Sequence, residues 1–439
     1  MPRSFALTAA AFMGLVVAAI LFTGAVAVSE RLPVAAAKDG FSVSEVRDFV
    51  NRATVRGLMA GGPISLWWTT NVAKKMPTAI VPRRTETMPL ANVPMPEIGN
   101  ITAKTSFGDM TLDAWVNDPR SFAQGFIIIR RGQIVYETYP GLKPDDAHMW
   151  ASTAKPLASL IIDKLIDKGL LDERKTIGDY MPDFRGTAWE PITIKDILDM
   201  TTGLNAEENP ATRRDPNSIT SRLFYAELGE PTPTTSKMET VREVLKDAKP
   251  VRPAGMSFDY GSGITQALVL LAEEVSGKTF SDLFDDLVWS KVGSSGPIQL
   301  HLAPDGTAAV HGFVSSSLRD MARFGMLYTP SWNTVATERV VTPEIVERIR
   351  KGVRPNAFYM AGVEGPILAN ALSDAILSNS RQWDAVFPDG DFYKSGFMAQ
   401  GLYVSPGRDL VIAYFSTSLD HTSPQRFLRP IATSGLFGR

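Results

Sequence analysis

The chain contains no cysteine, which excludes disulfides, thiolate zinc sites, iron–sulfur clusters and a cysteine nucleophile together. Histidine is scarce as well, and His148, His301, His311 and His421 are too dispersed to suggest a metal cluster. An excess of either charge is missing: 45 Lys and Arg stand against 47 Asp and Glu, a net charge of −2. A nucleic-acid binder carries a basic footprint, and this chain has none. The short pairs Arg83-Arg84, Arg130-Arg131 and Arg213-Arg214 read as solvated surface. Also absent are G-x-S-x-G, H-E-x-x-H, the P-loop and G-x-G-x-x-G. Their absence lowers the case for an ordinary α/β-hydrolase triad, a zinc protease or a nucleotide-binding enzyme. No internal repeat or low-complexity tract is visible.

What is there is a globular composition, 44% hydrophobic and 21% charged, which rules out collagen-like and disordered classes. The chain's 439 residues allow several domains or one large single-core enzyme. One long uncharged run stands out, Phe5 to Val28. As a helix it would span roughly the 30 Å core of a bilayer. Arg3 precedes it, and Glu30, Arg31 and Lys38 follow. Residues 1–28 therefore read as an uncleaved membrane anchor or as a signal peptide, since Ala25-Val26-Ala27 fits the small-residue cleavage pattern. Both readings export the rest of the chain to a periplasmic or other extracytoplasmic location.

Residues 29–100 read as a Pro-rich N-terminal spacer packed partly on the main domain. Ser44 to Leu58 has a helical apolar pattern; beyond it Pro77, Pro82, Pro89, Pro94 and Pro96 break regular elements. Residues 101–439 carry the organised pattern. Phe126–Arg130 and Gln133–Tyr139 flank Arg131-Gly132 as a hairpin. A second hairpin joins Gly401–Val404 to Leu410–Phe415. Helical patterns dominate from Ser152 to about Ala248, then at Gly263–Val275 and Leu318–Tyr328, with Ser317 and Asp320 spaced as a capping-box variant. A short helix is expected after Ser423. Strands at both ends and helices between them give an α+β class: an antiparallel sheet built from both ends of the domain, with a helical insertion.

The sharpest chemical feature is Trp150-Ala151-Ser152-Thr153-Ala154-Lys155, followed at once by an amphipathic helix through Leu157, Leu160, Ile161, Leu165 and Ile166. Ser and Lys three apart on a helix share a face. At the first turn the backbone N–H groups are unpaired and can hold an oxyanion at a carbonyl attacked by Ser152. The positive helix end and partial burial disfavour protonated Lys155, and a neutral lysine can accept the serine proton. Pro156 costs no bond within the first turn. Alone, S-x-x-K is unspecific; a capping serine with an exposed lysine is the bland alternative.

Further segments carry a resemblance. The run Phe126 to Lys155, then Leu165-Ile166-Asp167-Lys168-Gly169-Leu170-Leu171-Asp172, then Ile194 through Met200-Thr201-Thr202-Gly203-Leu204, resembles the serine β-lactamase and penicillin-binding-protein superfamily. Within it the chain looks most like the 6-aminohexanoate-dimer hydrolases and related esterases. The resemblance implies a β-lactamase-like fold, an antiparallel sheet flanked by helices plus a mostly helical domain, with the site between them. It implies a serine hydrolase cleaving a small amide or ester through an acyl-enzyme, without metal or cofactor. It assigns Ser152, Lys155 and Tyr260 (in Asp259-Tyr260-Gly261-Ser262) to catalysis. It assigns Lys394, Ser395, Gly396 and Phe397 to substrate binding, the backbone N–H of Phe397 as second oxyanion donor. Where β-lactamases carry Asn, two residues after the Tyr, this chain has Ser262. Lys394, in contrast, points toward carboxylate-bearing substrates. A D-alanyl-D-alanine peptidase or β-lactamase, and a non-catalytic cell-envelope binding protein, are the rival readings.

Overall fold

Both expected hairpins form, and they meet in one sheet. Ala123–Arg130 pairs with Gln133–Thr138 across Arg131 and Gly132, whose φ values are 50° and 73°. Two successive left-handed residues are what a tight two-residue hairpin needs. Gln400–Ser405 pairs with Leu410–Ser416, and the latter strand lies antiparallel to Ala123–Arg130 with Ile412 opposite Ile128. The structure, a computed structural model, describes residues 38–59, 62–418 and 424–438. Among these the main sheet runs in the order Ser378–Ser380, Trp383–Val386, Phe392–Gly396, Gln400–Ser405, Leu410–Ser416, Ala123–Arg130, Gln133–Thr138, Ala91–Asn92. All pairings are antiparallel except that of Ala91–Asn92, which is parallel. Every residue of Leu410–Ser416 is buried because both faces of the sheet are covered. On one face lies the helix Leu318–Met326, brought close by Gly325, where a Cβ would sit 2.8 Å from Val411.

That helix is capped by Ser317, whose hydroxyl accepts from the Asp320 N–H. The Asp320 carboxylate does not complete a capping box; it binds Ser295 and Arg323 instead. The middle of the chain supplies the helical layer. Lys155–Asp167 and Ser262–Ser276 pack against each other, and both send leucines, Leu157 and Leu160 from one and Leu268 and Leu271 from the other, into the main core. Gly277, at φ 66°, ends the second of them. The last expected helix forms as Leu428–Ala432 after a short 3-10 turn.

In the N-terminal segment the helical pattern read over Ser44 to Leu58 is not one continuous helix. It breaks at Ala53-Thr54 into Val43–Arg52 and Val55–Met59, and a third helix, Gly62–Asn71, follows. Trp67 and Trp68 are fully buried. With Phe49 and Leu58 they share a core with Met149, Ala151, Phe224, Phe313 and Met398. The segment is therefore bound through a core of its own to the strand and turn that carry Ser152. Its proline-rich part forms only short pieces, such as Thr78–Val81 paired with Ile298–His301. The run Phe5–Val28 and His421 lie outside the described residues. Among the described residues no helix is long and apolar enough to cross a membrane.

Candidate active site

Ser152 sits on a sharp turn. The Trp150 N–H donates to Val314 O at 2.7 Å, fixing the chain entering it. Ala151 then takes φ 48°, unusual for a residue with a Cβ. A 3-10 turn, Ala151–Ala154, leads into the helix Lys155–Asp167, with Pro156 in its first turn as expected. Ser152 is only 8% exposed.

Lys155 is wholly buried. Its Nζ donates to Ser262 Oγ and to His311 O, both at 3.0 Å, and lies 5.3 Å from the centre of the Tyr260 ring. Burial lowers its pKa to about 7, against the pull of Glu208 and with help from nearby Lys394. The Tyr260 hydroxyl is hydrogen-bonded to Ser152. Burial, with the charges of Asp384 and Glu208, raises its pKa well above that of an ordinary phenol. An amine able to lose its proton near neutrality thus stands beside a phenol that keeps its own and is bonded to Ser152. Environments that push two groups apart in this way suit one to act as base and the other as acid.

Tyr260 is placed by the segment around Met200 and Gly203. Asp259 N–H donates to Met200 O at 2.6 Å, and Glu208 N–H donates to Tyr260 O at 2.6 Å. The Asp259 carboxylate accepts from Gly203 N–H at 2.9 Å and is also held by Arg252 and Ser257. Gly203 takes φ 67°, and a Cβ there would stand 2.3 Å from Arg252 O. Only glycine fits that close approach.

Sequence reasoning missed three contributors. Glu208 accepts from the Ser262 N–H at 3.1 Å and from its hydroxyl. Burial pushes the Glu208 carboxyl up, but Arg213, Lys155 and the Ser262 bond outweigh it and hold its pKa at about 2. Arg213 pairs with Glu208 at 2.8 Å and lies 5.7 Å from the Phe397 ring centre. It is therefore not the solvated surface residue its Arg-Arg pair suggested. His311 offers its backbone oxygen to Lys155 while its ring meets Glu227 at 2.8 Å. None of the three stands in a recognisable local motif, so nothing near them in the chain marked them out.

The strand Phe392–Gly396 brings the third motif to the site. A Cβ on Gly396 would lie 2.9 Å from Trp150 O, so this strand touches the Ser152 turn directly. Ser395, Gly396 and Phe397 line the cleft together with Ser152 and Tyr260. Met398 and Ala399, at φ 58° and 60°, make the turn, and Gln400 Nε2 braces it through Phe397 O at 3.1 Å. Lys394 is fully buried and pairs with Asp384 at 2.5 Å, and Ser395 Oγ binds the same carboxylate at 2.5 Å.

The cleft has two lobes meeting at Ser152, Glu208, Arg213 and Phe397. One is walled by Leu58, Met59, Met149, Phe224 and Phe313. The other, the larger, is lined by Tyr260, Ser395, Gly396, Ile367 and Glu364. Burial, then Asp384, raises the Glu364 pKa to about 7. Among the described residues no group of three or more His, Asp or Glu is arranged to hold a metal ion.

A model of the family described as Beta-lactamase matches residues 123–432, and the chain belongs to that family. Its α+β fold is β-lactamase-like, with open sheets. The 6-aminohexanoate-dimer hydrolase of Paenarthrobacter ureafaciens is 23% identical over 365 residues, covering 81% of this chain and 86% of that one. A solved protein of Bacillus anthracis, provisionally assigned as a 6-aminohexanoate-dimer hydrolase, superposes with a TM-score of 0.71 at 21% identity, covering 88% of this chain and 95% of its own. A β-lactamase/D-alanine carboxypeptidase from Yersinia pestis superposes at 0.52 with 16% identity, covering 72% and 95%. The chain is thus a β-lactamase-fold hydrolase related to 6-aminohexanoate-dimer hydrolase.

Proposed function

We propose that this protein is a serine hydrolase that cleaves an amide or ester bond of a small molecule through an acyl-enzyme, in the manner of a 6-aminohexanoate-dimer hydrolase. The observation that carries the reading is the convergence of three side chains: Ser152 bonded to Tyr260, whose ring has the Lys155 Nζ 5.3 Å from its centre. Ser152 Oγ attacks the carbonyl carbon while its proton passes to neutral Lys155. The Ser152 and Phe397 backbone N–H groups receive the oxyanion. As the carbonyl reforms, Tyr260 gives its proton to the departing nitrogen or oxygen and recovers one from Lys155. Water then attacks the ester on Ser152 by the same proton route and releases the acid. The uncharged run Phe5–Val28 supports export of this domain, its N-terminus being a cleaved peptide or an inner-membrane anchor.

The peptidase or β-lactamase reading keeps one support, the Lys394-Ser395-Gly396 triplet, and loses another, because Asp384 already neutralises Lys394. A panel of a short ester, a linear amide dimer, a D-Ala-D-Ala peptide and a cephalosporin separates the readings. We expect ester and linear amide to turn over and Ser152→Ala to lose on the order of 10⁴–10⁶-fold in kcat. Near wild-type turnover by folded Ser152→Ala would refute the proposal, and cephalosporin turnover matching the ester would move the protein to the rival class.

A further inference from the structure

We infer that the N-terminal segment selects the substrate: Leu58 and Met59 wall a hydrocarbon-binding lobe that takes the acyl half, a chain of several methylenes. The inference rests on the acyl-enzyme reading above, and the two-lobed shape of the cleft gives it direction. Tyr260 lines only the larger lobe, whereas Ser152 borders both. A proton donor to the leaving group must stand within hydrogen-bond reach of it, so the leaving group occupies the Tyr260 side. The acyl substituent then extends the other way, into the lobe walled by Leu58, Met59, Phe224 and Phe313.

The chemistry of that lobe suits methylenes. Leu58, Met59, Phe224 and Phe313 present carbon surface. Its polar members have partners: Glu208 meets Arg213 and Ser262, and His311 meets the buried Glu227. Met59 is half-buried at the end of the helix Val55–Met59, whose Leu58 is anchored in the core around Trp67 and Trp68. A segment outside the family match of residues 123–432 therefore supplies part of the wall beside the serine.

The test uses the full chain and p-nitrophenyl acetate, butyrate, hexanoate and octanoate. For the wild type, kcat/KM should climb about fourfold per methylene until the lobe is filled. Met59→Trp, which narrows the lobe, should lower the hexanoate-to-acetate ratio at least about tenfold, since overpacking is penalised where carbon already fills the space. Met59→Ala should move the optimum to longer chains. A chain-length profile unchanged in both variants would overturn the inference. So would a response confined to the alcohol side of alkyl esters, which would make this the leaving-group lobe. If instead the wild type hydrolyses no ester or amide at all, it is the acyl-enzyme reading that fails.

Discussion

On the proposed acyl-enzyme route Lys155, protonated below about pH 7, cannot accept a proton from Ser152 there. Because the protonated lysine is the inactive form, kcat/KM should rise with pH through about 7 and then level. Glu208 works against this by favouring the ammonium, so Glu208→Gln should move the rising limb to lower pH. Glu364 titrates in the same range and lines the neighbouring lobe. A pH profile of Glu364→Gln tells the two apart: the limb persists if it belongs to Lys155 and vanishes if it belongs to Glu364. At this scale the sequence was informative where chemistry is local. Ser152 and Lys155 stand three apart, and Tyr260 precedes a helix, so spacing and resemblance could find them. Glu208, Arg213 and His311 reach Lys155 only through the folded chain. Lys394 shows the converse, a motif residue whose charge is consumed by Asp384, distant in role though near in sequence.

Among elements, the turn at Gly203 links fold to site. It adopts φ 67° and packs its α-carbon against Arg252 O, while its N–H holds Asp259 and through it the Tyr260 loop. Gly203→Ala combines left-handed strain with a backbone clash, and should cost about 2–4 kcal/mol in urea unfolding. It should also reduce turnover in the fraction that remains folded, because Tyr260 would shift. An unchanged denaturation midpoint would show that the turn is not under this constraint. The hairpins and the two long helices were legible because alternation and 3.6-residue periodicity survive burial. The break at Ala53-Thr54 was not, since the apolar pattern continues across it and only packing against the Trp67 core dictates the bend. The capping pair at Ser317 was half legible: the hydroxyl caps the helix, but Asp320 is drawn away by Ser295 and Arg323.

For the whole molecule, the α+β class followed from strands at both ends of the domain enclosing helices, and the sheet closes as expected through Leu410–Ser416 on Ala123–Arg130. Residues 29–100 read as a spacer packed partly on the main domain, and Phe49, Trp67 and Trp68 show how the part from residue 38 packs, through a core shared with the Ser152 turn. Long-range burial of that kind leaves no periodic trace in the chain. The result is a cleft whose serine is approached from three directions: the helical layer with Tyr260, the sheet edge with Gly396, and the N-terminal segment with Met59. On the proposed route Ser152 becomes covalently acylated, and treating the full chain with a fluorophosphonate, then locating the adduct by peptide mass spectrometry, probes that step. One phosphonyl group should appear, on Ser152, and should form far more slowly in Lys155→Ala. An unlabelled Ser152 in protein that still hydrolyses esters, or an adduct on another serine alone, would contradict that route.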